Sequence, residues 1–139
     1  MSIKKITIAG IAGGVVYFLL GWLVYGILMK NFYAEHMNNC AMRPEADMIW
    51  WALIVANIMW GVLIAYIFNR WANITSLSAG LSAGAILFLL LGLAFGLGFY
   101  AYTTMYNDMT GMIVDILIGT VMGAIVGGVV GFVLGKIKD

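Results

Sequence analysis

Four long apolar stretches dominate the chain, and short polar segments separate them. A helix needs about 20 apolar residues to cross the hydrocarbon core of a bilayer, so each stretch predicts one transmembrane helix. The pattern predicts an all-α membrane protein with a single four-span domain over residues 1–139 and an outer loop over residues 30–48. The predicted spans cover about residues 6–29, 49–68, 76–102 and 111–134.

The composition agrees with this pattern. Hydrophobic residues make up 64% of the chain and charged residues 9%, whereas an ordinary soluble domain has about 25% charged residues. The mean hydropathy is +1.04. A formal net charge of +1 gives no sign of a nucleic-acid partner, and a single cysteine cannot form an internal disulfide. Membrane lipid is the partner that this composition predicts.

The positions of Lys and Arg predict the orientation, because cytoplasmic segments of membrane proteins carry an excess of both residues. Most of them fall on the side of the membrane that holds both ends of the chain. We therefore expect a multi-pass protein with both termini in the cytoplasm. The residues on that side are Lys4, Lys5, Arg70, Lys136 and Lys138, and those on the other side are Lys30 and Arg43.

The first and third spans resemble each other. A shift of 70 positions sets AGIAGGVVYFLLGWLVYG (9–26) beside AGLSAGAILFLLLGLAFG (79–96), and eight residue pairs coincide. Spans one and three cross the membrane in the same direction, so a duplication would give two parallel-repeat helical hairpins that form one bundle. Chance similarity between two apolar sequences of low complexity is the alternative.

Glycine recurs at intervals of four in three of the spans. In lipid, small residues let helix backbones approach closely, since packing replaces the hydrophobic force between helices. The spacing predicts packing faces, either within one bundle or between copies of the chain, and we expect a homo-oligomer. The packing glycines are Gly10 and Gly14 in span one, Gly80 and Gly84 in span three, and Gly119, Gly123, Gly127 and Gly131 in span four.

Asp115 is the only Asp, Glu, Lys, Arg or His within a predicted span, and an acidic group there is a functional hypothesis by default. Its possible roles are a tether between helices, a substrate or proton site, and an exposed residue near the headgroups. Tyr25 and Tyr100 lie at similar predicted depth and are its expected partners, while Asn57 is expected to bond another helix or a ligand. The candidate intramembrane polar site is Asp115, Tyr25, Asn57, Tyr100, Trp22 and Trp60.

The outer loop holds weak candidate ligands for a metal ion. In a helical loop His36 and Cys40 would share one face, and Met37 lies beside them. Sulfur and imidazole ligands favour Cu(I), but no spacing matches a zinc site, and no cofactor is predicted. The alternative is a short amphipathic segment on the outer surface. Its lipid-facing residues would be Phe32, Tyr33, Met37 and Ala41.

The chain lacks the GxSxG, glycine-lysine phosphate-loop and HExxH motifs, so we do not predict an enzyme. The favoured function is a structural, accessory or lipid-interacting membrane subunit packed through its glycine faces. A small-solute transport or permeation unit built around Asp115 is the first alternative, and metal binding on the outer face is the second. An enzyme that acts on a lipophilic substrate at the outer interface is the least favoured class.

Three segments carry a resemblance to a known family: GGVVYFLLGWLVYGILMKNFY (13–33), WANITS (71–76) and VDILIGTVMGAIVGGVVGFVLG (114–135). Over nearly its whole length the chain is similar to small four-span bacterial inner-membrane proteins classed as a domain of unknown function. The resemblance implies the four-span fold and a location in a bacterial inner membrane, and it implies no activity. Members often have an adjacent Trp-Tyr pair, which two residues separate here. The positions carried over are Gly21, Trp22, Tyr25, Gly26 and Asp115.

Overall fold

A computed structural model of the chain describes residues 2–38, 40 and 42–138. Single π-helical turns extend the first long helix through Val24–Leu28 and the second through Ile67–Ala72. The predicted all-α fold class is confirmed for the described residues. The five α-helices are α1 (Ile3–Leu23), α2 (Lys30–His36), α3 (Trp50–Tyr66), α4 (Leu77–Tyr102) and α5 (Met109–Lys136).

Among the described residues, four helical stretches are long and apolar enough to cross a membrane, as predicted. The largest difference from the predicted bounds is at the end of the second span, which continues to Ala72 instead of ending near residue 68. Asn73, in the left-handed backbone region with φ 52°, then ends the helix. The chain is therefore a multi-pass membrane protein. Its spans are Ile3–Leu28, Trp50–Ala72, Leu77–Tyr102 and Met109–Lys136.

Side-chain caps fix where three of the long helices begin. The hydroxyl oxygen of Ser76 accepts a hydrogen bond from the Ala79 N–H at 3.2 Å, and Ser2 caps α1 in the same way. The carboxylate of Asp108 accepts from the Gly111 N–H at 2.8 Å at the start of α5. Ser and Asp are favoured at this position because their oxygens satisfy backbone donors that have no helical partner.

The helices pack as two pairs. α1 packs mainly against α3 and α4 mainly against α5, and contacts between α1 and α5 join the pairs.

We call the end where α1 begins and α5 ends the terminal end, and the end that carries α2 and residues 103–108 the loop end. The main core lies in the terminal half. Its buried residues are Ile6, Ala9, Ile64, Ala65, Phe68, Phe88, Val126, Val130 and Leu134.

Glycines bring α4 and α5 into backbone contact. A Cβ atom added to Gly80 would overlap the carbonyl oxygen of Gly127, and one added to Gly84 would overlap that of Gly123. A Cβ on Gly131 would overlap the carbonyl oxygen of Ser76. The predicted glycine face of the fourth span thus contacts a helix of the same chain over these three positions.

The α1–α3 pair uses glycine in the same way. A Cβ on Gly10 would lie 2.8 Å from the Cα atom of Val62, and one on Gly14 would overlap the Cα atom of Ile58. Gly10 and Gly14 occupy the positions that the sequence shift aligns with Gly80 and Gly84, and each pair contacts the span that follows it. The duplication itself stays a prediction.

Gly119 differs from the other predicted packing glycines. A Cβ atom added there would meet no atom within 4 Å, because Gly119 faces an open groove between the helices rather than another backbone.

Candidate functional site: an aromatic groove beside Asp115

The carboxylate of Asp115 accepts two hydrogen bonds from outside its own helix. The Tyr33 hydroxyl of α2 donates to Oδ1 at 2.8 Å, and the Tyr106 hydroxyl donates to Oδ2 at 2.7 Å. Asp115 lies on α5, close to the loop end. The three side chains therefore connect α2, the α4–α5 connection and α5 at one point.

Backbone hydrogen bonds hold α2 against the α4–α5 connection and so position both tyrosines. Met37 and Tyr106 form an isolated antiparallel bridge. The Asn38 N–H donates to the Met105 carbonyl at 2.7 Å, and the Asn107 N–H donates to the His36 carbonyl at 2.8 Å. These bonds satisfy backbone groups that the short α2 helix leaves without partners.

A hydrogen bond between His36 and Asp108 reinforces this contact near Asp115. His36 Nδ1 lies 2.7 Å from Oδ2 and 2.9 Å from Oδ1 of Asp108, the same residue that caps α5. The pKa of Asp108 lies below its ordinary value because the Gly111 N–H donates to it, and His36 adds to the shift. Asp108 therefore joins α2 to the first turn of α5.

Both tyrosines that bond Asp115 keep their protons at neutral pH. Burial raises the pKa of the Tyr33 hydroxyl above its ordinary value, and the nearby Asp115 carboxylate adds to the shift. Burial also raises the pKa of Tyr106, as does its hydrogen bond to Asp115. Each hydroxyl is consequently a donor, and both carboxylate oxygens act as acceptors.

An open groove of about 260 Å³ lies next to Asp115, and residues of α1, α3, α4 and α5 line it. Gly119 leaves room in it, because a Cβ there would meet nothing within 4 Å, whereas the lining residues Gly92 and Gly96 face Ile116 of α5. Tyr17, Trp60 and Phe88 contact one another near the middle of their helices, with ring centroids 5.8–6.5 Å apart. Besides Tyr25 and Tyr106, the aromatic walls are Tyr17, Trp60, Phe88, Phe95 and Phe99.

Two residues of the predicted polar site, besides Asp115, line this groove. Trp60 contacts the rings of Tyr17 and Phe88. The ring of Tyr25 packs edge-on against that of Tyr33, with centroids 5.0 Å apart. Tyr25 does not bond Asp115 in the structure. It supports the ring of Tyr33, which does.

The other predicted members lie elsewhere. The Tyr100 side chain is on an exposed part of α4 and does not reach Asp115. The Asn57 amide donates to the Leu53 carbonyl of its own helix at 2.7 Å, so it does not bond another helix. Trp22 is 57% exposed on the outer surface of α1.

The candidate metal ligands of the outer loop do not form one cluster either. His36 is paired with Asp108, Met37 packs against Tyr106, and Cys40 is exposed. Tyr33 and Met37 face the protein rather than lipid, because α2 docks on the α4–α5 connection, and Ala41 lies outside the described residues. Within the described part of the chain, no three His, Cys, Asp or Glu side chains group closely enough to hold a metal ion.

Sequence reasoning missed Tyr33, Tyr106 and Tyr17. Tyr106 lies nine residues before Asp115, a separation that a loop turning back into α5 closes. This short separation was a signal for Tyr106, because a hydroxyl in the connection just before α5 lies near the first turns of that helix. Tyr33 is 82 residues from Asp115, and only the docking of α2 brings the two together.

A comparison with known protein families, with curated proteins and with solved structures finds no match. The resemblance noted in the sequence is thus supported only as far as four long apolar helices, which are typical of a small four-span membrane protein.

Proposed function

We propose that this chain is a non-enzymatic membrane protein that binds a small, largely apolar molecule in the groove beside Asp115. The observation that carries the proposal is the groove itself, with aromatic walls and one carboxylate. Ligand sites are mostly apolar with a few placed polar groups, and their volumes run from about 300 to 1,000 Å³. A groove of about 260 Å³ suits a single-ring compound better than a two-chain lipid. Such binding would be the first step of solute uptake or permeation.

A photoreactive apolar probe tests this proposal. Trifluoromethyl-phenyl-diazirine, added to the protein in phosphatidylcholine vesicles, is expected to label Tyr17 and Trp60 saturably. Outward-facing Ile86 and Leu90, which are 60% and 59% exposed, should be labelled in proportion to probe concentration. Mass spectrometry of digested protein locates the label. Equal, non-saturable labelling of the groove residues and of the outward-facing residues would overturn the proposal.

A pair of glycine variants provides the matched control. Gly119→Leu projects a side chain into the groove from a position where an added Cβ meets nothing within 4 Å. Gly98→Leu makes the same change on α4, where a Cβ would only contact the Tyr102 ring at 3.6 Å, outside the groove. The first variant should lose the saturable labelling and the second should keep it.

A second candidate function is a structural or accessory subunit that assembles as a homo-oligomer. Its support is an exposed apolar stripe on α5, which is otherwise the helix with most buried residues. In a Cys40→Ser background, Val121→Cys should cross-link two copies under mild oxidation in membranes, while Leu90→Cys on α4 should not. Absence of a Val121 cross-link would count against this candidate. The stripe consists of Ile113, Leu117, Val121 and Ile125.

We also propose that the chain resides in a bacterial inner membrane with both of its ends in the cytoplasm. The charge distribution supports the orientation, and the family resemblance alone supports the kind of membrane. The terminal end carries Lys4, Lys5, Arg70, Lys136 and Lys138, and the loop end carries Lys30 and Arg43.

A further inference from the structure

We infer that the groove selects compact organic cations, such as a single aromatic ring that bears an ammonium group. This inference rests on the proposed function, because it names the chemical class of the ligand. Two features of the groove carry it: a carboxylate whose charge no cation of the described residues balances, and walls made of aromatic rings.

The charge of Asp115 is the first feature. Both carboxylate oxygens accept hydrogen bonds from tyrosine hydroxyls, which are neutral donors and leave the negative charge in place. Among the described residues, no Lys, Arg or His forms a salt bridge with Asp115, and His36 is hydrogen-bonded to Asp108 instead. An ionised carboxylate has about four lone-pair positions, so two remain open. A cation in the groove would balance the charge, which is costly to leave unpaired in a membrane.

The aromatic walls are the second feature. The face of an aromatic ring is negative, and it attracts a cation that lies within about 6 Å of the ring centroid. Tyr17, Trp60 and Phe88 present three rings within 6.5 Å of one another on the wall of the same groove. An anion would be repelled by both the rings and Asp115. A neutral molecule would bind through apolar contact alone, without the added attraction of the ring faces and Asp115 for a positive charge.

The volume limits the size of the cation. Since one water molecule takes about 30 Å³ in the liquid, the groove of about 260 Å³ holds the equivalent of about nine waters. A phospholipid with an ammonium headgroup is far larger. A compact cation therefore fits within the groove, whereas a phospholipid would extend beyond it.

Isosteric competitors test this inference. Phenyltrimethylammonium and tert-butylbenzene share one shape and differ in charge, and each competes with the diazirine probe for groove labelling in phosphatidylcholine vesicles. For Asp115→Asn, we expect the half-displacing concentration of the cation to rise about tenfold, while that of the neutral compound stays within about twofold. Each compound is compared with itself in the two proteins, so differences in membrane partitioning cancel.

A measurement on the unchanged protein does not depend on how the variant folds. Phenyltrimethylammonium should displace the probe at a concentration about tenfold or more below that of benzenesulfonate, an anion of similar size. Tyr100→Phe, which lies outside the groove and does not contact Asp115, should preserve this preference. If the two ions displace the probe equally, or if Asp115→Asn weakens both isosteres alike, the charge selectivity is wrong while groove binding stands. If the probe does not label the groove saturably, the proposed function itself fails.

Discussion

At the scale of single residues, Asp115 has the geometry of a tether. Its two acceptor bonds join α2 and the α4–α5 connection to α5, which is one of the roles expected from the sequence. A tether and a ligand site are compatible here, because two lone-pair positions of the carboxylate remain open beside the groove.

Removal of either tyrosine hydroxyl should destabilise the protein. Hydrogen bonds to charged groups contribute about 1.5–3 kcal/mol, so Tyr33→Phe and Tyr106→Phe should each lower the free energy of unfolding by about that amount. The two donors share one carboxylate, so the double variant should not equal the sum of the single ones. Unfolding in detergent by titration with sodium dodecyl sulfate measures the differences.

Tyr100→Phe is the matched control, because the Tyr100 hydroxyl makes no hydrogen bond to any described residue. It should unfold like the unchanged protein. If Tyr106→Phe also left the unfolding free energy unchanged, the hydrogen bond to Asp115 would not stabilise the fold.

The structure has Asp115 in the fourth long apolar helix, and its hydrogen-bond partners are not the tyrosines expected from the sequence. Predicted depth in the membrane indicated Tyr25 and Tyr100 as partners of Asp115, since both lie near the loop end of their spans. Depth does not say which way a side chain points around its helix, and Tyr100 points outward. Tyr33 reaches Asp115 through the docking of α2, a contact between segments far apart in the chain that no local pattern encodes.

At the scale of helices, backbone contact at glycine is the feature that joins α4 to α5. Gly127→Ala should weaken the pair, because the added Cβ would overlap the Gly80 carbonyl oxygen and lie 2.8 Å from the Gly84 Cα atom. Forced overpacking of this kind costs about 1–3 kcal/mol. The same detergent titration, read by loss of helical circular dichroism, measures the cost.

Gly119→Ala provides the control on the same helix, since nothing lies within 4 Å of its added Cβ. It should leave stability unchanged or raise it by up to about 1 kcal/mol, because alanine favours the helix more than glycine does. Equal effects of the two variants would show that helix propensity, and not backbone contact, decides the outcome.

The docking of α2 should depend on pH through Asp108. Its pKa is lowered in the folded protein, so its ionisation favours folding above its ordinary value of 3.8, and this contribution is lost as pH falls through the lowered value. Asp108→Asn keeps an oxygen for the Gly111 N–H but removes the charge that faces His36. The difference in thermal stability between the two proteins should therefore shrink from about pH 5 to about pH 2. A constant difference would contradict this role.

Element positions were largely predictable, because long apolar runs leave a membrane chain little choice but helix. The π-helical turns at Val24–Leu28 and Ile67–Ala72 were not, since they depend on packing near the helix ends rather than on composition. The same limit applies to glycine spacing. It marks a packing face, but whether that face meets the same chain or a copy depends on the tertiary arrangement.

At the scale of the whole molecule, the two halves of the bundle differ. The terminal half contains the main core and the glycine contacts, including those of Gly14 with α3 and Gly84 with α5. The loop half contains the groove, and the hydrogen bonds of α2 hold its helices together instead. A tightly packed half that supports an open half is the arrangement that a binding site within a small bundle requires.

The orientation of the whole bundle can be read from its single cysteine. Cys40 is exposed at the loop end, so a membrane-impermeant maleimide should label it in intact spheroplasts if the loop end faces outward. The control is Cys40→Ser combined with Lys138→Cys at the terminal end, which should react only after the membrane is permeabilised. The expectation follows from the excess of Lys and Arg at the terminal end, because such residues are retained in the cytoplasm. The reverse labelling pattern would place both chain ends outside and would show that charge does not set the topology of this protein.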